Sequence, residues 1–187
     1  MVRSVAYFDG GAAVNRGISG TVEFVSLPSG RTRVRVDLRG LEKGDHGIHL
    51  HQSGDLTKGC AGVCAHYNPK KVKHGSFLNA KKTRHIGDLC NNIVATRSGK
   101  AEYSYIDDLL KVPSTYGRSV VVHRWPDDLG LGEYEYLETD VLRKICRERA
   151  YKLKSFSRDS MVDKLNSEST QTGNAGQRIA CAVVGRG

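Results

Sequence analysis

Between Thr32 and Leu38 the chain reads Thr-Arg-Val-Arg-Val-Asp-Leu, with an apolar residue at every second position from Val34. A period of two puts Val34, Val36 and Leu38 on one face of a strand and the charges on the other. Other short runs of strand character are Ser4–Phe8, Gly20–Leu27, His46–Gln52, Asp88–Thr96, Ala101–Ile106, Ser119–Trp125 and Arg178–Val184. Pro28-Ser29-Gly30 and Ser98-Gly99-Lys100 supply turn chemistry between them. Roughly eight short strands separated by turn signals predict an all-β sandwich or barrel.

Two stretches break this pattern. Residues 53–84 are rich in Gly, Lys, Asn and His and lack lasting periodicity; a loop this long inside a compact fold is usually functional. Residues 133–166 change period instead. Leu137, Val141, Leu142, Ile145, Cys146, Ala150 and Leu153 fall at helical spacing. Thr139 or Asp140 is placed to cap that helix, and Ser160–Leu165 predicts a second short helical turn. No internal repeat is visible.

Length and charge narrow the picture. A chain of 187 residues is one domain, or one domain with a long insertion. Its formal charge of +9 suits anionic partners (nucleic acid, an acidic membrane or a small anion) or simply solubility. The N-terminal residues contain no apolar run long enough for a signal peptide or membrane span. That predicts a cytoplasmic protein, or one packaged in a virus particle if the source is viral. The cysteines are Cys60, Cys64, Cys90, Cys146 and Cys181. Their number is odd and no CxxC pair occurs, which argues against a zinc finger. A reducing compartment would also argue against any disulfide.

The candidate chemistry lies in the histidines. Six of the seven fall between His46 and His85, and the seventh is His123. His49 and His51 are two apart on a strand, so they point to one face and can reach one ion. His66, His74, His85 and Asp88 come from the long loop and its exit. A lone histidine is more often a packing or surface residue than a ligand. Seven ligand-type groups gathered this way favour a metal, and they are too many for one tetrahedral ion and about right for two. Three histidines with a carboxylate suit zinc; an all-imidazole set with an open side suits copper.

The order and spacing of several motifs resemble one family. They are Gly47-Ile48-His49-Leu50-His51, Gly59-Cys60, His66-Tyr67-Asn68-Pro69, His74-Gly75, Arg84-His85-Ile86-Gly87-Asp88-Leu89, Val121-Val122-His123, Asp127-Asp128-Leu129-Gly130 and Thr172–Cys181. The sequence resembles the Cu/Zn superoxide dismutases over residues 1–132 and 167–187. The resemblance implies a single such domain over residues 1–187, built as an eight-stranded Greek-key β-barrel with long metal-binding and channel loops. It implies copper on His49, His51, His66 and His123, and zinc on His66, His74, His85 and Asp88. His66 would bridge the two ions at the mouth of the barrel. Asp127 would join the free nitrogens of His49 and His74, and His46 would be structural. The implied reaction is dismutation of superoxide to oxygen and hydrogen peroxide by a Cu(II)/Cu(I) cycle. His66 and Arg178 would act in it, the first on protons and the second as an anion guide, with Glu168 and Thr172 lining the channel. Cys60 and Cys181 would form a disulfide despite the compartment argument. Cys64, Cys90 and Cys146 have no implied role.

The chain also departs from the family. The segment between His74 and His85 is about two residues longer and carries Lys81, Lys82 and Arg84. Gln171 stands where a lysine is common. Residues 133–166 form an insertion of about 35 residues, which would cap the channel, bind a partner, assist copper loading or have no role. The implied partner is a second copy, forming a homodimer with Ser53, Gly54, Tyr116, Gly117 and Val184 at the contact. A competing reading is a non-enzymatic relative, a copper carrier or decoy. Such relatives lack a copper ligand or the channel arginine, and His49, His51, His66, His123 and Arg178 are all present. Nothing in the chain pairs stacking aromatics with a basic groove, so specific nucleic-acid binding is not expected.

Overall fold

A computed structural model describes residues 1–79 and 83–187. Lys81 and Lys82 lie outside the described residues. The strands are β1 (Arg3–Phe8), β2 (Ser19–Ser26), β3 (Thr32–Arg39), β4 (Gly44–His51), β5 (Thr57–Cys60), β6 (Asn92–Ala95), β7 (Ala101–Asp107), β8 (Ser119–His123) and β9 (Arg178–Arg186). Two helices, α1 (Thr139–Glu148) and α2 (Arg158–Thr172), lie between β8 and β9.

Eight strands form one antiparallel sheet in the order β6-β4-β8-β9-β1-β2-β3-β7. β9 returns from the end of the chain to lie beside β1, next to the β1-β2-β3 meander, which is Greek-key order. The sheet curls into a nearly closed barrel. Its outer strands meet at the Thr96–Lys100 turn, and the Tyr103 hydroxyl accepts a bond from the Val94 amide at 3.0 Å. The alternation read in β3 is borne out: Val34, Val36 and Leu38 join Phe8, Phe24, Ile48, Leu50, Val120 and Val122 in the core.

β6 starts at Asn92 rather than at Asp88. Residues Ile86–Asp88 make a 3-10 turn instead, and Leu89 and Asn91 follow at φ 48° and 62°. This folds the chain back so that Asp88 is buried while Leu89 still reaches the core. The long loop after β4 is pinned to the barrel through the Tyr67 amide to the Leu50 carbonyl at 2.8 Å and the Gly87 amide to the Tyr67 carbonyl at 2.9 Å. Only glycine fits at Gly87: a Cβ there would lie 2.3 Å from the Leu50 carbonyl oxygen. β5, which the sequence pattern misses, lies within this loop.

Leu142, Cys146, Met161 and Leu165 pack with Tyr134 as a second apolar cluster between α1 and α2. α2 is far longer than the single turn expected at Ser160–Leu165, and it runs on to Thr172. Its apolar stripe ends on a polar residue. Ser169 is fully buried, donates to Asp128 at 2.9 Å and accepts from the Gly132 amide. Ser157 caps the helix start, accepting from the Ser160 amide, and Gly173 closes its end at φ 67°.

Cys60 and Cys181 form a disulfide that closes 121 residues and ties the loop around β5 to β9. Cys64, Cys90 and Cys146 are free. Replacing Cys60 and Cys181 by serine should cost about 2–5 kcal/mol of folding stability, read as a lower denaturation midpoint of the oxidised protein. A midpoint equal to that of the parent would show that the bond contributes nothing.

Candidate metal centre

In β4, Ile48 and Leu50 enter the barrel core, so the alternate residues His49 and His51 face out. β8 behaves likewise, with Val120 and Val122 inside. By the same alternation His123 falls on the outer side, and the pairing with β9 becomes irregular between Val122 and His123. The histidine cluster therefore sits against the outer wall of the barrel, under the loops, and not at the mouth where it was expected. Burial is nearly complete: His49, His51, His66, His74, His85 and His123 are each at most 5% exposed.

Tautomers follow from the acceptors. A carbonyl or carboxylate oxygen can only accept, so the ring nitrogen facing it carries the proton. His51 Nδ1 faces the Cys64 carbonyl at 2.9 Å, and His123 Nδ1 faces the Gly176 carbonyl at 3.0 Å. His49 Nε2 faces Asp127 at 2.7 Å. The remaining nitrogens, His49 Nδ1, His51 Nε2 and His123 Nε2, are buried lone pairs with no hydrogen-bond partner, as is His66 Nε2. One nitrogen from each of these four rings lies within 4.8 Å of the others. Buried polar atoms are normally satisfied, and a cation that accepts four lone pairs satisfies all of these at once.

A second set adjoins the first. Asp88 Oδ1 lies 3.1 Å from His66 Nδ1, 2.8 Å from His74 Nδ1 and 3.0 Å from His85 Nδ1. His85 Nε2 faces the Val72 carbonyl at 3.0 Å, so in the neutral ring Nδ1 is a lone pair aimed at a carboxylate oxygen. Two acceptors at that distance repel unless a proton or cation lies between them. Four ligands about 2 Å from a tetrahedral zinc would stand about 3.3 Å apart, close to the 2.8–3.5 Å spacings found here. The residues therefore fit both groups, with His66 facing the first set through Nε2 and the second through Nδ1.

Asp127 joins the two sets. Its Oδ2 accepts from His49 Nε2 at 2.7 Å and its Oδ1 from His74 Nε2 at 2.9 Å. Asn91 and the Leu129 amide also donate to this carboxylate, and Asn92 clamps the Asp127 backbone on both sides. Gly173 packs on the bond to His74, where a Cβ would lie 2.3 Å from Asp127 Oδ1. His46 stands apart, with both ring nitrogens on backbone carbonyls, those of His123 and Glu42. Arg84 is buried, paired with Asp107 at 3.0 Å and bonded to the His85 carbonyl at 3.1 Å, and so pins the end of the loop. Sequence reasoning missed Asn91, Asn92 and the Arg84–Asp107 pair, none of which carries a local signal.

Charge is distributed accordingly. Burial raises Asp88, but bonds to His66, His74 and His85 outweigh it and hold the carboxyl well below the carboxylate range. Burial likewise raises Asp127, and its bonds to His49 and His74 prevail and lower it. Burial lowers His74, yet Asp127 and Asp88 together push it up to about 10. Burial and the charge of His49 bring His66 down to about 3. Burial also depresses His51 and His123, helped by neighbouring histidines.

The metal-free protein should therefore be most stable near neutral pH. The depressed histidines cost stability as pH falls from 6.5 toward 3, because the unfolded chain then binds more protons. The depressed carboxylates add to that loss below about 4. The raised His74 contributes fully below 6.5 and loses its contribution as pH rises through 10. Thermal denaturation of metal-free protein across this range checks it; a flat profile would contradict it.

A cavity of about 600 Å³ opens over the first set, lined by His51, His66, His123, Glu168, Thr172 and Arg178. Arg178 donates to the Cys60 and Cys64 carbonyls at 2.8 and 2.6 Å.

A Greek-key barrel with two adjoining clusters on its outer wall, each able to hold a metal ion, fits a class of two-metal β-barrel protein. Residues 18–141 match the family described as copper/zinc superoxide dismutase. A Cu-Zn superoxide dismutase of Paramecium bursaria Chlorella virus 1 is 40% identical over 172 residues, 90% of this chain and 73% of the relative. An extracellular Cu-Zn superoxide dismutase of Drosophila melanogaster is 36% identical over 189 residues, 98% of this chain and 85% of the relative. Among solved structures, the crystal structure of the clock protein EA4 superposes with a TM-score of 0.73 at 27% identity, covering 98% of this chain and 93% of that one. The chain belongs to the copper/zinc superoxide dismutase family, oxidoreductases whose cofactors are copper and zinc. The Drosophila relative's extracellular name does not support the cytoplasmic expectation. Among the described residues no helix is long and apolar enough to cross a membrane.

Proposed function

We propose that this chain dismutates superoxide to oxygen and hydrogen peroxide, with copper held by His49, His51, His66 and His123 and zinc by His66, His74, His85 and Asp88. The observation that carries the reading is the convergence of four buried, unpartnered ring nitrogens beneath an open cavity. Copper bound there would supply a one-electron couple, Cu(II)/Cu(I), and zinc a fixed, redox-inert charge.

The chain's own groups then have definite tasks. His66 is shared between the two sets, and its Nε2 is the atom that takes and returns a proton. This nitrogen is buried without a hydrogen-bond partner beneath the cavity, so a proton there faces the substrate side. Asp127 keeps the His49 and His74 rings in one tautomer. Arg178 holds the anion at the cavity floor; its two carbonyl bonds keep the guanidinium in place. Glu168, paired with Lys164 at 2.6 Å, and Thr172, bonded to Glu168 at 3.0 Å, shape the channel wall.

Residues 1–187 would form one such domain, with 133–166 as an insertion. A second copy would be its partner through the face of Ser53, Gly54, Tyr116 and Gly117. Val183, 38% exposed, takes the place expected of Val184, which is buried in the barrel. Measuring metal content and superoxide decay together tests the proposal. One copper and one zinc per chain with rapid decay are expected. Arg178→Gln should keep both metals and lose roughly tenfold or more in kcat/KM. A fully loaded protein that leaves superoxide untouched would sink the reading.

A further inference from the structure

The helical segment reaches the cavity. Glu148, Arg149 and Tyr151, at the end of α1, line it together with His51, His66 and His123. Helix α1 stops at Arg149, and Ala150 turns the chain at φ 54° so that the Tyr151 amide reaches back to the Cys146 carbonyl at 3.0 Å. This ending fixes where Arg149 projects. Arg149 Nε donates to the Asn174 carbonyl at 2.6 Å, and its guanidinium lies 5.7 Å from the Trp125 ring centre. Its stem packs against Gly176, where a Cβ would lie 3.2 Å from Arg149 Cγ. The Gly176 carbonyl is the one that orients His123.

The charges nearby decide what Arg149 can do. Two carboxylates line the cavity. Glu168 is paired with Lys164 at 2.6 Å, and Glu148 has Lys144 at 3.9 Å. Among the described residues Arg149 makes no ion pair, and its terminal nitrogens have no protein acceptor. The uncompensated cations on the cavity wall are therefore Arg149 and Arg178, held by backbone carbonyls. A concave site lined by fixed cations concentrates small anions and raises their encounter rate.

We propose that Arg149 is a second anion-guiding residue, supplied to the cavity by the helical segment; this rests on the dismutase reading above. The substrate class is a small monoanion, superoxide or a mimic such as azide. Arg178 holds the anion at the floor, and Arg149 draws it in from the α1 side.

The test uses the copper- and zinc-loaded full chain with Arg149→Gln, Arg149→Met and Arg149→Lys. Metal content, azide affinity by copper absorbance, and kcat/KM against ionic strength are measured. The neutral variants should keep both metals, bind azide more weakly and lose roughly three- to tenfold in kcat/KM at low salt. That gap should close at high salt, and Arg149→Lys should stay near the parent. Neutral variants with the parent's salt dependence and azide affinity would overturn the proposal. So would loss of metal in both, which would make Arg149 a structural residue only. Arg149-dependent azide binding in a parent protein without dismutase activity would sink the functional reading but not the guiding role; dismutation that ignores Arg149 would do the reverse.

Discussion

Replacing His123 by alanine should empty the copper site while leaving zinc in place. His123 offers Nε2 to the first set and nothing to the second. Its ring is fixed by the Gly176 carbonyl and placed on the outer face by the alternation of β8, in which Val120 and Val122 point inward. Without it three rings remain, and His66 is already engaged by Asp88 through its other nitrogen. Dismutation should fall at least about a thousandfold, equivalent to about 4 kcal/mol of lost transition-state stabilisation. Metal analysis should show zinc near one per chain and copper sharply reduced. Full activity in this variant would refute the copper assignment.

Asp127→Asn should weaken both sites through one atom-for-atom change. The carboxylate accepts from His49 Nε2 with one oxygen and from His74 Nε2 with the other. An amide offers one acceptor and one NH2 group, so one ring N–H would face a donor in a fully buried place. That ring must turn or change tautomer, and its lone pair then leaves the metal set. Loss of such a partner typically costs ten- to a hundredfold in metal affinity. Competitive chelator titrations should show a shift of that size for at least one metal, together with a lower melting temperature of the loaded protein. Unchanged affinities for both would show that the histidines hold their orientation without this carboxylate.

How much of this was legible beforehand depends on the residue. The strand pattern at Thr32–Leu38 and the His49/His51 spacing were readable because a period of two has one geometric meaning. The clustering of His66, His74, His85 and Asp88 with them rested on family resemblance, since loop contacts have no period. The outward siting of the cluster was not read, although Ile48 and Leu50 between the histidines already point inward. α2 was underestimated because its buried face ends on Ser169, whose partner, Asp128, is 41 residues away. The pinning of the loop by Arg84 and Asp107 depends on a contact across 23 residues. Arg149 carried no motif at all; it became meaningful only where helix α1 stops over the cavity.

The shared imidazole is the centre of the account, and anomalous diffraction from crystals of the loaded protein, recorded at the copper and zinc absorption edges, tests it most directly. The expected result is a copper peak among His49 Nδ1, His51 Nε2, His123 Nε2 and His66 Nε2, and a separate zinc peak among His74, His85, Asp88 and His66 Nδ1. A single peak, or two peaks with His66 against only one of them, would contradict it.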